Sequence, residues 1–241
     1  LGDPLFIRPG ACTCNRKGFP SRSGESGFGP GARNTMRYKL ALFDVDSTLT
    51  STEGIDLLAR HSPHAAKVTR ITELAMAGEI DFDSALRERV SLLKDLDERI
   101  IEFAIEETKI SPQAFEVVTE MKSQGMKIGV VSGGFREIID SVFDSWPFDL
   151  VVAHTLGKHD GILTGEVQGP IINRSTKAAV LRDFARSEGI ALENTIAIGD
   201  GSNDIEMIQA AGIGIAYRGK KALRDVADIQ IENLEEILKY L

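Results

Sequence analysis

Residues 40–50 read Leu40-Ala41-Leu42-Phe43-Asp44-Val45-Asp46-Ser47-Thr48-Leu49-Thr50. Leu40–Phe43 is a short apolar run that predicts a buried strand. The chain then turns polar, and two carboxylates, Asp44 and Asp46, fall two residues apart at the strand's carboxyl end. In an open α/β sheet that edge is where ligand sites form. Like charges this close repel, and a hard divalent cation such as Mg²⁺, which takes oxygen ligands, would hold both ionised. The spacing also suits two roles, a nucleophile towards phosphorus and a proton shuttle to the leaving oxygen. A strand that simply ends in an Asp-rich turn is the structural alternative.

Downstream, the spacing predicts helices over about 51–61, from beyond Pro63 to Gly78, over 82–93 capped by Asp81, and from Asp97 through Thr108. These four helices have no strand signal between them and read as an inserted cap, residues 51–109. Ser111-Pro112 then predicts a helix with Pro in its first turn. The remainder alternates strand and helix: strands at 127–131, 150–153, 195–198, 213–216 and 229–231, and helices between and after them, one spanning about 176–188. His159-Asp160-Gly161 reads as a hairpin turn. Alternation of this kind predicts an α/β fold with a Rossmann-like, mostly parallel sheet, built from residues 36–50 and 110–241.

Two further strand ends carry polar groups. One is Ser132-Gly133-Gly134, the other Gly199-Asp200-Gly201-Ser202-Asn203-Asp204. In a parallel sheet they share an edge with Asp44 and Asp46, so Asp200 adds a third oxygen ligand and Asp204 a fourth acid. Ser132 and the amides of Gly133 and Gly134 can cradle a phosphate at a strand-to-helix junction, although a tight turn explains Gly-Gly equally well. Lys177 falls in the first turn of its helix, capped by Ser175 or Thr176. A cation there opposes the helix dipole, which favours a nearby anion; a solvated surface lysine is the alternative. On the helix opened by Phe82, residues Phe82, Leu86, Val90 and Leu93 fall within about 80° of one another. Arg89 lands at the edge of that stripe beside Phe82. There it either meets a carboxylate or phosphate or snorkels to water. Thr50-Ser51-Thr52-Glu53 matches a capping box, and Glu53 could instead face the site and receive an ammonium group.

The chain has 241 residues, 42% hydrophobic and 27% charged, as in an ordinary globular protein. A net charge of −8 argues against broad nucleic-acid binding. No apolar run approaches a membrane span. Residues 1–35 differ from the rest: they hold four of the eight Pro, seven of the 23 Gly and a net charge of +3. They read as a disordered extension: a tag or upstream translation with Met36 as the start, a transit segment, or a flexible arm. Both cysteines, Cys12 and Cys14, lie there, so the remainder needs no disulfide and fits a cytoplasmic setting.

Asp44-Val45-Asp46-Ser47-Thr48, Ser132-Gly133-Gly134, Lys177 and Gly199–Asp204 together resemble the four ordered motifs of the haloacid dehalogenase superfamily. Within it, Glu53-Gly54-Ile55-Asp56, the stretch from Ala75 to Phe82, Ser84–Val90, Val130–Phe135 and Asp160-Gly161 resemble phosphoserine phosphatases. The resemblance implies a Mg²⁺-dependent enzyme acting on a small-molecule substrate, phosphoserine, with no nucleic-acid or membrane partner, as a monomer or homodimer. It implies that Asp44 is phosphorylated and that Asp46 protonates the leaving serine oxygen and then activates water. Mg²⁺ would be held by the Asp44 side chain, the Asp46 carbonyl and Asp200, with Asp204 behind. Ser132, Gly133 and Lys177 would bind phosphoryl oxygens, with Asn203 near the phosphate. Glu53 and Arg89 would hold the substrate ammonium and carboxylate, with Met76 and Phe82 walling the pocket. Two rivals remain: transfer of the phosphoryl group to an alcohol such as homoserine, and a non-enzymatic phospho-acceptor switch.

Overall fold

The structure, a computed structural model, describes residues 37–241. The expectations for residues 1–35, with Cys12 and Cys14, lie outside the described residues. Seven strands form one sheet: β1 (Leu40–Phe43), β2 (Lys127–Phe135), β3 (Leu150–His159), β4 (Ile162–Gln168), β5 (Thr195–Gly199), β6 (Ile213–Tyr217) and β7 (Ile229–Ile231). Their order is β4-β3-β2-β1-β5-β6-β7. All neighbours are parallel except β3 and β4. Helices cover both faces, so β1, β5 and β6 are buried along their whole length and read as continuous apolar runs.

β1 lies between β2 and β5, where the strand order reverses. Chains leaving β1 to either side open a crevice at that point. Asp44 follows β1, Ser132 lies late in β2, and Asp200 follows β5. The Asp44 amide donates to Ile198 O at 2.9 Å, which fixes the first of these ends against the third.

Between β1 and β2 run α1 (Gly54–Ala59), α2 (Ala65–Ala77), α3 (Phe82–Ser91), α4 (Ile100–Glu107) and α5 (Ala114–Ser123). The first four pack around Leu57, Leu58, Val68, Leu86, Val90, Leu93 and Ile100. The same cluster takes in Phe135, Ile138, Leu156 and Leu163, so the roof rests on one end of the sheet. α2 stops at Gly78, whose φ of 78° is the left-handed conformation that ends helices. The Asp81 carboxylate accepts from Ser84 N at 2.8 Å and starts α3, as expected from its place before the apolar stripe. α5 and α6 (Arg136–Val142) cover one face of the sheet, and α7 (Arg174–Ser187) and α8 (Ile205–Ala210) the other.

Several boundaries differ from the sequence reading. Asp97 does not open α4, which begins at Ile100; its carboxylate holds Arg99 instead, and its backbone bridges to Ile162. Pro112 is not in the first turn of α5, because Gln113 takes a left-handed conformation (φ 58°) and the helix begins at Ala114. β2 runs on to Phe135 because Phe135 still pairs with β3 after a register shift, at His154. Asp160 (φ 49°) and Gly161 (φ 79°) make the two-residue turn between β3 and β4. The last segment, Leu234–Tyr240, is a 3₁₀ rather than an α-helix. Among the described residues no helix is long and apolar enough to cross a membrane.

Candidate active site

The turn after β1 cannot continue as regular structure, because Ser47 sits at φ 57°. That kink turns the Asp46 carboxylate back under the roof. There it accepts from Gly54 N at 2.7 Å and from Ser132 Oγ at 3.1 Å. Burial raises the pKa of Asp46, against the two hydrogen bonds that favour its ionised form. A carboxyl so held keeps a proton more readily than a surface aspartate, which suits a general acid.

Asp44, Asp200 and Asp204 are all buried, and one oxygen of each lies within 4.8 Å of the others. Lys177 Nζ is 2.7 Å from both Asp44 Oδ1 and Asp204 Oδ1. Burial works to lower the lysine's pKa, but these two carboxylates outweigh it and hold Lys177 charged. One cation against three carboxylates leaves an excess of negative charge. Burial, with Asp204 adding to it, therefore pushes Asp44 well above the ordinary carboxylate range. Burial, then Glu53 and Asp44, do the same to Asp200.

This donor set fits a hard divalent cation. Asp200 Oδ1 is buried and has no hydrogen-bond partner among the described residues. Asp204 is more fully engaged: Oδ1 takes Lys177, and Oδ2 accepts from Asp200 N at 3.2 Å and Gly201 N at 3.1 Å. Asp200 is thus the open donor, Asp44 carries its contact with Lys177, and Asp204 organises the loop behind them.

Lys177 is placed by α7, whose cap is Asn173 rather than Ser175 or Thr176. Asn173 Oδ1 accepts from Thr176 N at 3.1 Å, and its Nδ2 reaches across to Asp83 Oδ2 on α3 at 3.0 Å. Ser132, Gly133 and Gly134 form the neighbouring wall. A Cβ on Gly134 would lie 2.3 Å from Asp46 Oδ2, and one on Gly133 2.8 Å from the Phe82 ring. Close approach, rather than turn geometry, requires glycine at both positions.

One cleft joins this wall to the roof, lined by Asp44, Asp46, Glu53, Met76, Phe82, Arg89, Gly133 and Asn203, together with Ile55, Leu86 and Gly134. Ser132, Lys177, Asp200 and Asp204 stand behind that lining. Asn203 Oδ1 is buried without a partner among the described residues. Glu53 does not form the capping box: its carboxylate accepts from Ser47 Oγ at 2.6 Å, and it precedes α1 without capping it. Burial, then the Asp46 charge, pushes Glu53 up to about 7. Arg89 is 2% exposed and lies 6.0 Å from the Phe82 ring centroid. It does not snorkel to water.

Sequence reasoning missed several residues that shape the cleft. Thr72 and Asp56 hold Arg89 from behind. His154 Nε2 accepts from Ile172 N at 2.7 Å, so its Nδ1 proton goes to Gly133 O at 3.0 Å. The ring thereby ties the Ser132–Gly134 wall to the segment that leads into α7. Burial lowers its pKa, which keeps it neutral. Asp56 lies within the Glu53-Gly54-Ile55-Asp56 stretch, where a signal exists; Thr72 and His154 have no local signal.

Comparison with known proteins decides the family. A model of haloacid dehalogenase-like hydrolases matches residues 41–209. A phosphoserine phosphatase of Methanocaldococcus jannaschii is 43% identical over 207 residues, 85% of this chain and 98% of that protein. This chain belongs to the phosphoserine phosphatase family. Another family member, phosphoserine phosphatase SerB2 of Mycobacterium tuberculosis, is 45% identical over 195 residues, 81% of this chain but only 48% of the relative. The chain therefore spans about half the length of that relative and nearly all of the archaeal one. Two solved phosphoserine phosphatase structures superpose with a TM-score of 0.82 at 43% identity, each covering 85% of this chain. They cover 99% and 98% of those chains; the first holds a phospho-aspartyl intermediate analogue, the second bound substrate. The family's architecture accounts for the seven-stranded sheet and its helical roof.

Proposed function

We propose that this chain is a Mg²⁺-dependent phosphatase that hydrolyses O-phospho-L-serine to serine and phosphate, the last step of serine biosynthesis. The observation that carries this reading is a single cleft in which Asp44 and Asp46 face Glu53 and Arg89. An α-amino acid presents one ammonium and one carboxylate, and the roof offers one half-buried acid and one buried guanidinium to meet them. The phospho-aspartyl analogue and the bound substrate in related structures support the same chemistry.

In the first step a carboxylate oxygen of Asp44 attacks phosphorus and the ester P–O bond breaks. Asp46 gives its proton to the departing serine oxygen, leaving an aspartyl-phosphate on Asp44. In the second step Asp46, now ionised, takes a proton from the water that attacks phosphorus, and the bond to Asp44 breaks. Ser132, Gly133 and Lys177 steady the phosphoryl oxygens, and Asn203 lies beside them. Phosphoryl transfer depends chiefly on such positioning and charge neutralisation. Mg²⁺, held by Asp44, the Asp46 carbonyl and Asp200 with Asp204 behind, would neutralise the developing charge on those oxygens. Residues 51–109 act as the cap on a core of 36–50 and 110–241, with Met76 and Phe82 walling the pocket, and cap closure would exclude water from the first step. The same reading makes the protein cytoplasmic, acting as a monomer or homodimer.

The test is a phosphate-release screen over small phosphomonoesters, with Mg²⁺ and with EDTA. Phosphoserine should be the best substrate and EDTA should abolish release. Faster hydrolysis of an ester without an amino-acid moiety would overturn the substrate assignment. Efficient transfer to homoserine with little free phosphate would replace hydrolysis by transfer. A long-lived phospho-Asp44 without turnover would mark a switch.

A further inference from the structure

Arg89 is almost fully buried, yet among the described residues it makes no ion pair. Its Nε donates to Ala85 O at 3.2 Å and its Nη1 to Thr72 Oγ1 at 3.0 Å. Thr72, 3% exposed on α2, in turn lies 2.8 Å from Asp56 Oδ1. A buried guanidinium ordinarily takes a carboxylate directly, often with two hydrogen bonds. Here a neutral hydroxyl stands between the two charges. Thr72 Oγ1 accepts from Arg89, so its one proton is free for Asp56. The Val68 carbonyl, at 3.1 Å, is the competing acceptor. The charge-assisted bond to Asp56 is the shorter and stronger of the two.

We propose that Thr72 is a positioning residue that sets this enzyme's affinity for a substrate carboxylate, by orienting Arg89 while keeping Asp56 from pairing with it. The inference rests on the proposed function. Asp56 pulls on the guanidinium through the hydroxyl and fixes its direction. Its charge stays one residue removed, so the outward N–H groups of Arg89 remain available to an anion in the cleft. If the hydroxyl is removed, no neutral group stands between Asp56 and the guanidinium, and the carboxylate is left free to draw the arginine away from the cleft.

The experiment compares Thr72→Val, which keeps the shape, with Thr72→Ser, which keeps the hydroxyl, and with Thr72→Val/Asp56→Asn. Each is assayed for KM and kcat on phosphoserine and for the inhibition constant of inorganic phosphate, which senses the phosphoryl wall alone. Thr72→Val should raise KM about tenfold, with kcat and phosphate inhibition within about twofold. Thr72→Ser should restore KM. Adding Asp56→Asn to Thr72→Val should recover much of the loss, because the competing carboxylate is gone. A merely structural Thr72 would loosen both readouts together and gain nothing from Asp56→Asn, and either result overturns the proposal. So does an unchanged KM in Thr72→Val. If Thr72→Val fails to fold, Thr72→Ala with and without Asp56→Asn answers the same question. A wild-type chain inactive on phosphoserine would reject the substrate assignment and this inference with it. An active wild type with insensitive variants rejects this inference alone.

Discussion

At the lip of the sheet, Lys177 touches two carboxylates at 2.7 Å each. In the roof, Arg89 touches none directly and is steadied by a threonine. Both cations are buried, but their charge is used differently. The lip is a closed network with more negative charge than its lysine can balance. It asks for a second cation and suits chemistry that every phosphate ester requires. The roof keeps one acid and one base apart, each held by a hydroxyl, Ser47 for Glu53 and Thr72 for Arg89. It suits recognition of a ligand that brings both opposite charges. On the proposed function, the lip performs the reaction and the roof chooses the substrate.

Replacing Asp44 by Asn should break this comparison on the lip side. Turnover of every phosphate ester should fall by about 10³-fold or more. The fold should survive with an undiminished melting temperature, since a strained buried charge is removed; equal loss of structure by circular dichroism would contradict the assignment. Arg89→Ala acts on the roof side. It should cost about 2–5 kcal/mol in kcat/KM on phosphoserine, while p-nitrophenyl phosphate, which lacks both charges, is hydrolysed about as before.

The pH dependence sharpens the comparison further. Glu53 is pushed up to about 7, and in the proposed role it would bind an ammonium only when ionised. Phosphoserine kcat/KM should therefore rise as pH passes through about 7, and Glu53→Gln should lower it and flatten that limb. Stability runs the other way. A carboxyl whose folded pKa is raised contributes stability below its ordinary value and loses it as pH climbs through the folded one. Without metal, Glu53→Gln should thus raise the melting temperature at pH 8 and leave it nearly unchanged at pH 4. The smallest effect is expected at the seam between lip and roof. Ser202 Oγ donates to Ala75 O at 3.0 Å, and Ser202→Ala should cost about 1 kcal/mol in chemical denaturation.

Much of this was readable in the chain. An apolar run that ends in Asp44-x-Asp46, and two later strands ending in polar loops, suffice to predict a parallel sheet with acids along one edge. Gly78, Asp81 and Asp160-Gly161 were readable because helix stops, caps and two-residue turns act within about four residues. Asp97 and Pro112 carried the same kind of signal and misled, because the bridge from Asp97 to Ile162 and the left-handed Gln113 overrode local preference.

The sequence by itself determined the order of the strands' polar ends and the residue types that stand there, since alternation and spacing are written along the chain. Only the tertiary structure decided what Glu53 does, because a capping box and a cleft-facing acid share the same four letters. It also decided that Asn173 caps α7, that His154 braces the wall beside Gly133, and that Thr72 stands between Asp56 and Arg89. The Asn173 cap itself is local, but the tie of Asn173 to Asp83 and the contacts of His154 and Thr72 join residues 16 to 90 positions apart, a separation at which packing, rather than local propensity, selects the partner.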